Sequence, residues 1–158
     1  MTEEYSVTVT DLINKMNLIN HTPEINTDEI LIKDPNMNRP AVQLAGFFDH
    51  FDAARIQICG NVEYAYIANM HTREENIEIF EKLFGYKIPC LIFCRGLEPY
   101  DFILEAGIKY GIPILTASGK ISVNTQSSCS FKNSGVTSKI PLTPIVFCDV
   151  SAVMALIA

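Results

Sequence analysis

Lys87 to Leu115, KIPCLIFCRGLEPYDFILEAGIKYGIPIL, constrains the fold more than any other stretch of the chain, because it reads as a complete strand–helix–strand unit. Ile88 to Cys94 is a continuous apolar run, too short for an ordinary helix and bounded by Pro89 and Gly96, as expected of a strand buried on both faces. Glu98-Pro99 is expected to open a helix, since proline is tolerated in the first turn, where its missing N–H has no intrahelical role. Phe102, Ile103, Ala106 and Tyr110 follow at helical spacing. Gly111 tolerates the left-handed conformation that ends a helix, and Ile112-Pro113-Ile114-Leu115 begins a second buried strand. Two short strands joined by one helix pair in parallel, with the helix on one face of the sheet.

The same unit occurs one step earlier. Thr72-Arg73-Glu74-Glu75 fits a capping box, Ile77, Phe80, Leu83 and Phe84 form an apolar helical face, and Gly85 stands before Ile88-Pro89 as Gly111 stands before Ile112-Pro113. Arg55 to Cys59 reads as the first strand of the parallel set, ended by Gly60-Asn61. The pattern predicts an α/β three-layer domain with a mixed, mostly parallel sheet built around Ile56 to Ile58, Cys90 to Cys94 and Ile112 to Leu115. Upstream, Thr8 or Thr10 caps a short helix carrying Leu12, Ile13 and Met16, with Asp11 at the positive end of its dipole. Leu18-Ile19 and Ile30-Leu31-Ile32 are expected to form an N-terminal pair of strands. Residues 1–116 therefore read as the α/β domain, 117–139 as a polar linker or irregular segment, and 140–158 as an apolar tail broken by Pro141, Pro144 and Asp149.

At 158 residues the chain is long enough for one domain with a substantial core and needs no disulfide or metal to hold it. A hydrophobic content of 48% with 19% charged residues lies well outside the disordered range. The net charge of −6 and the absence of a Lys/Arg cluster argue against nucleic acid or an anionic membrane as the partner, since both require neutralised phosphates. The acidic, polar start MTEEYSVTVT lacks the features of a secretory signal, no run approaches the length of a membrane span, and five cysteines have no framework spacing. A cytoplasmic protein with reduced thiols is expected.

Ligands collect at the carboxyl ends of strands in open parallel sheets. Three such ends carry glycine: Cys59-Gly60-Asn61, Cys94-Arg95-Gly96 and Thr116-Ala117-Ser118-Gly119. Gly60, Asn61, Arg95, Gly96, Ser118 and Gly119 are thus candidate ligand-binding residues, with the Arg95 guanidinium a fork for carboxylate or phosphate and the helix opening near Glu98 a source of free N–H groups. The plain alternative is that these are structural turns, with Arg95 pairing to Glu98 or capping a helix end. Other constellations fail on spacing. Cys90 and Cys94 on one strand lie roughly 13 Å apart, too far to share a metal or disulfide. Ser118-Gly119-Lys120 lacks the first glycine and the hydroxyl of a phosphate-binding loop, because Ile114 and Ile121 stand there. His21, His50 and His71 have no metal-ligand spacing, and no nucleophile–base pair emerges; no catalytic or metal residue is assigned.

The run Asn38-Arg39-Pro40-Ala41-Val42-Gln43-Leu44-Ala45-Gly46-Phe47-Phe48-Asp49, followed by Ala54-Arg55-Ile56-Gln57-Ile58-Cys59-Gly60 and by Ile88-Pro89-Cys90-Leu91-Ile92 with Arg95-Gly96-Leu97-Glu98-Pro99, resembles the N-terminal domain of bacterial HPr kinase/phosphorylase. The resemblance spans about residues 6 to 115 and rests most heavily on Arg39, Pro40, Gly46, Phe47, Phe48, Arg95, Gly96, Leu97 and Glu98. Ala41 departs from the glycine that often follows Arg-Pro in that family. The resemblance implies an α/β module similar to the N-terminal domain of Mur ligases. It also implies a full-length protein that phosphorylates and dephosphorylates a serine of the phosphocarrier HPr, with ATP or pyrophosphate and Mg²⁺, in carbon catabolite control. That chemistry belongs to a C-terminal P-loop domain, and this chain has no P-loop, so no cofactor and no catalytic residue carries over.

The expectation is a non-catalytic regulatory and assembly domain of an HPr kinase/phosphorylase-like protein, with its own kinase domain or HPr as partners. The alternative is a stand-alone sensor of an anionic small molecule or nucleotide at the Gly60, Arg95 and Gly119 turns. The apolar tail and the aromatic stretch Phe47 to Phe51 both exceed what one small core needs, so a homo-oligomer is expected.

Overall fold

The computed structural model describes residues 7–34 and 36–118. Gly119, nearly all of the linker expected over 117–139 and the apolar tail expected over 140–158 lie outside the described residues.

The chain runs β1 (Val7–Thr8), α1 (Val9–Met16), β2 (Ile19–Asn20), β3 (Leu31–Ile32), β4 (Met37–Asn38), α2 (Ala41–Leu44), β5 (Ile56–Cys59), α3 (Asn61–Asn69), α4 (Arg73–Gly85), β6 (Leu91–Phe93), α5 (Asp101–Tyr110) and β7 (Ile114–Thr116). Five strands form one sheet in the order β2-β7-β6-β5-β4. β4 to β7 are mutually parallel and β2 closes the β7 edge antiparallel. The three segments expected to form the parallel core are neighbours in it, and the α/β class with a mixed, mostly parallel sheet is the observed one.

The side-chain alternation of the strands divides the interior in two. Ile56, Ile58, Ile92 and Leu115 face a layer made by Val9, Leu12 and Met16 of α1 together with Leu18 and Ile32. Cys59, Leu91, Phe93 and Ile114 face the opposite way, onto Leu44, Ile67, Phe80, Leu83, Phe84, Phe102 and Ile103 from α2 to α5. The result is three layers, with four helices on one face and α1 beside the small β1–β3 ribbon on the other. Phe80, Phe84 and Phe93 are wholly removed from water, and each contributes about 1.5–3 kcal/mol by that burial.

Local chemistry explains most of the boundaries. Thr8 caps α1, its hydroxyl accepting from the Asp11 N–H at 3.1 Å while Asp11 Oδ2 accepts from the Thr8 N–H at 3.2 Å. Thr72 and Glu75 form the same reciprocal pair at the start of α4. Gly111 ends α5 in the left-handed conformation, φ 71°.

Three expectations are corrected. α5 begins at Asp101 with Tyr100 as its N-cap, so Glu98 and Pro99 precede the helix rather than opening it. The joint after α4 does not repeat the one after α5: the helix runs through Gly85, and the left-handed residue is Lys87, φ 60°. The two N-terminal strands do not pair with each other. β3 pairs with β1, and β2 pairs with β7, because Ile19 and Asn20 satisfy the backbone of Thr116 and Leu115 at the edge of the main sheet.

Candidate functional site

Because β4, β5, β6 and β7 are parallel, their carboxyl ends fall on one edge, and the residues following them, Arg39, Gly60, Cys94 with Arg95, and Ala117, line up there. The strand ends are bonded to one another. The Cys94 N–H donates to the Cys59 carbonyl at 2.9 Å, the Ala117 N–H to the Phe93 carbonyl at 2.8 Å, and the Gly96 N–H to the Ala117 carbonyl at 2.8 Å. Of the candidate residues, Gly60, Asn61, Arg95, Gly96 and Ser118 are therefore gathered on this edge. Gly60 is buried, while Asn61, Arg95, Gly96 and Ser118 are exposed.

The Gly60 turn is held by a buried carboxylate. Glu63 stands in the third position of α3, and its Oε2 accepts the Gly60 N–H at 2.8 Å. Arg39, just beyond β4, places Nη1 3.6 Å from the same oxygen; the Glu63 side chain is 4% exposed and that of Arg39 49%. A side chain at position 60 would meet Arg39 Nη1 and Glu63 Oε2, both at 3.3 Å, so glycine makes room for the ion pair. The positive end of α3 is thus served by an internal carboxylate.

Arg95 and Gly96 form a tight turn. Both have positive φ, 61° and 66°, and the Leu97 N–H donates to the Cys94 carbonyl at 3.2 Å, the pattern of a type I′ turn, which favours glycine at its second central position. The guanidinium extends into solvent from this turn. The segment behind it is pinned by carbonyl contacts: Thr116 Oγ1 donates to the Leu97 carbonyl at 3.2 Å and Tyr64 Oη to the Glu98 carbonyl at 2.9 Å. Since the Thr116 hydroxyl has one proton and gives it to Leu97, His21 Nε2, 2.8 Å away, is the donor to Thr116. Tyr64 stacks on Tyr100 at 4.8 Å, and Tyr100 on Phe102 at 5.5 Å. Burial, and next the Tyr64 hydroxyl, push the Tyr100 phenol up to about 12, so it stays neutral at physiological pH.

The remaining residues of the resemblance have structural positions. Pro40 accepts the Leu44 N–H at 2.8 Å, Gly46 takes φ 93°, and Phe48 is buried, stacking on Tyr86 at 5.5 Å beneath Lys82 Nζ at 4.6 Å. Phe47 projects into solvent. Cys90 and Cys94 pack in the α1-side core and Cys59 on the other face; all three are buried and outside any disulfide. Burial raises the thiols of Cys59 and Cys90, the latter to about 12. Neither offers a thiolate nucleophile. Among the described residues no group of three His, Cys, Asp or Glu side chains is arranged to hold a metal, and no helix is long and apolar enough to cross a membrane.

Sequence reasoning passed over Glu63, Tyr64, Tyr100 and the His21–Thr116 contact. Glu63 carried a signal, for it stands three residues after a helix-opening glycine, the spacing at which a carboxylate reaches back to the N-cap amide. The tyrosines and His21 carried none, since their partners are brought by tertiary folding.

Residues 7–128 match the family model described as HPr Serine kinase N terminus. The HPr kinase/phosphorylase of Lachnoclostridium phytofermentans is 48% identical over 110 residues, which is 70% of this chain and 35% of that protein. The one from Caldicellulosiruptor bescii is 42% identical over 111 residues, with the same shares of 70% and 35%. The chain thus spans about a third of the length of these curated relatives. Among solved structures, the CBS and DRTGG domains of the regulatory region of a Clostridium perfringens pyrophosphatase align over 70% of this chain and 41% of that one, with 19% identity and a TM-score of 0.48. The sequence match covers every element from β1 to β7, including the Arg39–Gly60–Glu63 and Arg95–Gly96 turns, and by it the chain belongs to the HPr serine kinase N-terminus family.

Proposed function

We propose that this chain is a non-catalytic regulatory and assembly module of an HPr kinase/phosphorylase-like protein, acting in the cytoplasm in carbon catabolite control and self-associating into a homo-oligomer. The observation that carries this reading is the family match over residues 7–128, which corresponds to about a third of relatives that act on HPr by name. The arrangement at the carboxyl edge supports it. Residues that mark the family there are engaged in shaping turns: Arg39 neutralises Glu63, and Gly96 permits the tight reversal after β6. None is poised as a nucleophile or general base. Partners of the module are a kinase domain of the same protein and, through it, HPr.

The test is phosphoryl transfer. The purified chain, incubated with HPr and either Mg-ATP or pyrophosphate with Mg²⁺, is expected to yield no phosphoserine on HPr. Fused in place of the amino-terminal third of the Lachnoclostridium phytofermentans relative, it is expected to support HPr phosphorylation by the chimera. Phosphoserine on HPr produced by the chain alone would sink the reading. A fused chimera that folds but neither assembles nor phosphorylates HPr would count equally against it.

A further inference from the structure

α4 and α5 run side by side in the same direction, as successive crossovers of the parallel sheet. Packed helices seldom leave a void larger than a water molecule between them. Here a cavity of about 120 Å³ opens to solvent between the two, lined by Ile77, Glu81, Phe102, Glu105, Ala106 and Lys109. Phe102 and Ala106 are buried and form its apolar floor, with the half-buried Ile77 beside them. The methyl of Ala106 is too short to close the gap across to α4, and the space left is that of one aliphatic side chain, a Leu or a Met.

The rim of this groove is charged in one sense. Glu74, Ile77, Glu78 and Glu81 follow one stripe of α4 at three- and four-residue spacing, and Phe102, Glu105, Ala106 and Lys109 follow a stripe of α5. The two helices carry six carboxylates against three cations, and each cation is engaged within the chain. Arg73 lies over the Phe102 ring at 5.4 Å, Lys82 over Phe48 at 4.6 Å, and Lys109 Nζ donates to Glu81 Oε1 at 2.6 Å. Glu74, Glu78, Asp101 and Glu105 are exposed and belong to no ion pair among the described residues. An apolar slot with uncompensated carboxylates on both sides is complementary to a segment that presents an aliphatic side chain flanked by Lys or Arg.

We propose that the α4–α5 groove docks a basic amphipathic helix of another protein, one aliphatic side chain entering the cavity over Phe102 and Ala106 while Lys or Arg side chains meet Glu78 and Glu105. A helical guest suits a groove of this kind, because residues at i, i+3 or i+4 and i+7 put an apolar anchor and its basic neighbours on one face. The sign of the rim charge excludes nucleic acid. It also disfavours a second copy of this chain, whose net charge of −6 would bring carboxylates against carboxylates.

The test uses the full chain and a fluorescein-labelled peptide with leucine at every third or fourth position and lysine at the others, followed by fluorescence anisotropy at low salt. Glu78→Lys combined with Glu105→Lys reverses the rim at two exposed positions and is expected to weaken binding about tenfold or more. Glu24→Lys combined with Glu29→Lys changes the net charge equally at two exposed carboxylates between β2 and β3, and is expected to leave binding within about twofold. Should the first variant lose its native circular dichroism, Glu78→Gln combined with Glu105→Gln, which removes the charges without reversing them, is expected to weaken binding about threefold. The same peptide with serine in place of leucine is expected to bind about tenfold more weakly, since nothing then fills the cavity. Amide resonances of Ile77, Phe102 and Ala106 are expected to shift on titration with the leucine peptide. Absence of binding, equal weakening by the two Lys double variants, equal affinity for the serine peptide, or shifts confined to other elements would each overturn the proposal.

Discussion

Removing either member of the Arg39–Glu63 pair should have unequal effects, and the inequality follows from their burial. Glu63 is 4% exposed and accepts the Gly60 N–H at 2.8 Å; Arg39 is 49% exposed and reaches the same oxygen at 3.6 Å. Glu63→Gln keeps an acceptor for Gly60 and replaces a charge-assisted hydrogen bond by a neutral one, a loss of about 1 kcal/mol. Arg39→Ala leaves the carboxylate buried with a single amide for company. Removing one partner of a fully buried pair costs about 3–5 kcal/mol, and water admitted into the space vacated by a half-exposed arginine lowers this to about 2–3 kcal/mol. With the carboxylate already neutralised, the arginine has little left to do, so the double variant should cost only about 1–2 kcal/mol, giving a coupling of about 1–3 kcal/mol. Urea denaturation of the four proteins at neutral pH, followed by far-ultraviolet circular dichroism, measures each value. Arg39→Ala should also lower the melting temperature by roughly 6–10 °C for a domain of this size. Additivity of the two single variants within about 0.5 kcal/mol, or an Arg39→Ala variant no weaker than Glu63→Gln, would refute the claim that the pair organises the Gly60 turn.

Two glycines of similar sequence context should respond in opposite senses. Gly111→Ala forces a side chain into φ 71° and should destabilise by about 1–2 kcal/mol, whereas Gly85→Ala, in helical conformation with nothing near its added methyl, should stabilise by about 0.5–1 kcal/mol; thermal melts of both variants decide. The cysteine thiols of Cys59 and Cys90 should alkylate only at the rate of global or local opening, and rapid modification of either residue in the native chain by iodoacetamide, located by peptide mass spectrometry, would contradict their burial. Their raised values also fix the sign of a pH effect. The unfolded thiols ionise near pH 9 and the folded ones only at much higher pH, so their contribution is fully present below pH 9 and is lost as pH rises toward about 12 for Cys90. A denaturation midpoint that rises over this range would be inconsistent with it.

The parallel core was legible because its strands are nearly uninterrupted apolar runs and its helices carry their own end signals. Thr72 with Glu75, and Gly111, act within a few residues of themselves, so sequence alone places them. β4 was hidden because Met37 and Asn38 sit among turn-forming residues and become a strand only by pairing with Ile56 and Gln57. The pairing of β2 was misread for a related reason, its partner lying near the other end of the described chain. Lys87 adopts a conformation that lysine does not advertise, and the start of α5 slipped to Asp101 because Tyr100 caps it through backbone geometry alone. At the candidate site, glycine marked the turns after β5 and β6. The buried acid behind Gly60 read as an ordinary surface glutamate, since burial of a charge is decided by its partner across the fold.

The strand order carries a kinetic consequence. β4, β5, β6 and β7 enter the sheet in the order in which they are made, each beside its predecessor, so four strands can assemble from nearby segments. β2 cannot join them early. Its register, Ile19 against Thr116 and Asn20 against Leu115, becomes available only when β7 exists, and the His21–Thr116 contact spans 95 residues. Loop-closure entropy grows only slowly with such a span, but non-local pairing is the step that slows folding. Until it occurs, β7 presents an unpaired edge able to capture a strand from another chain. The two residues of β2 thus act as a late latch, whose closing ends the interval in which the nascent domain is open to misassembly.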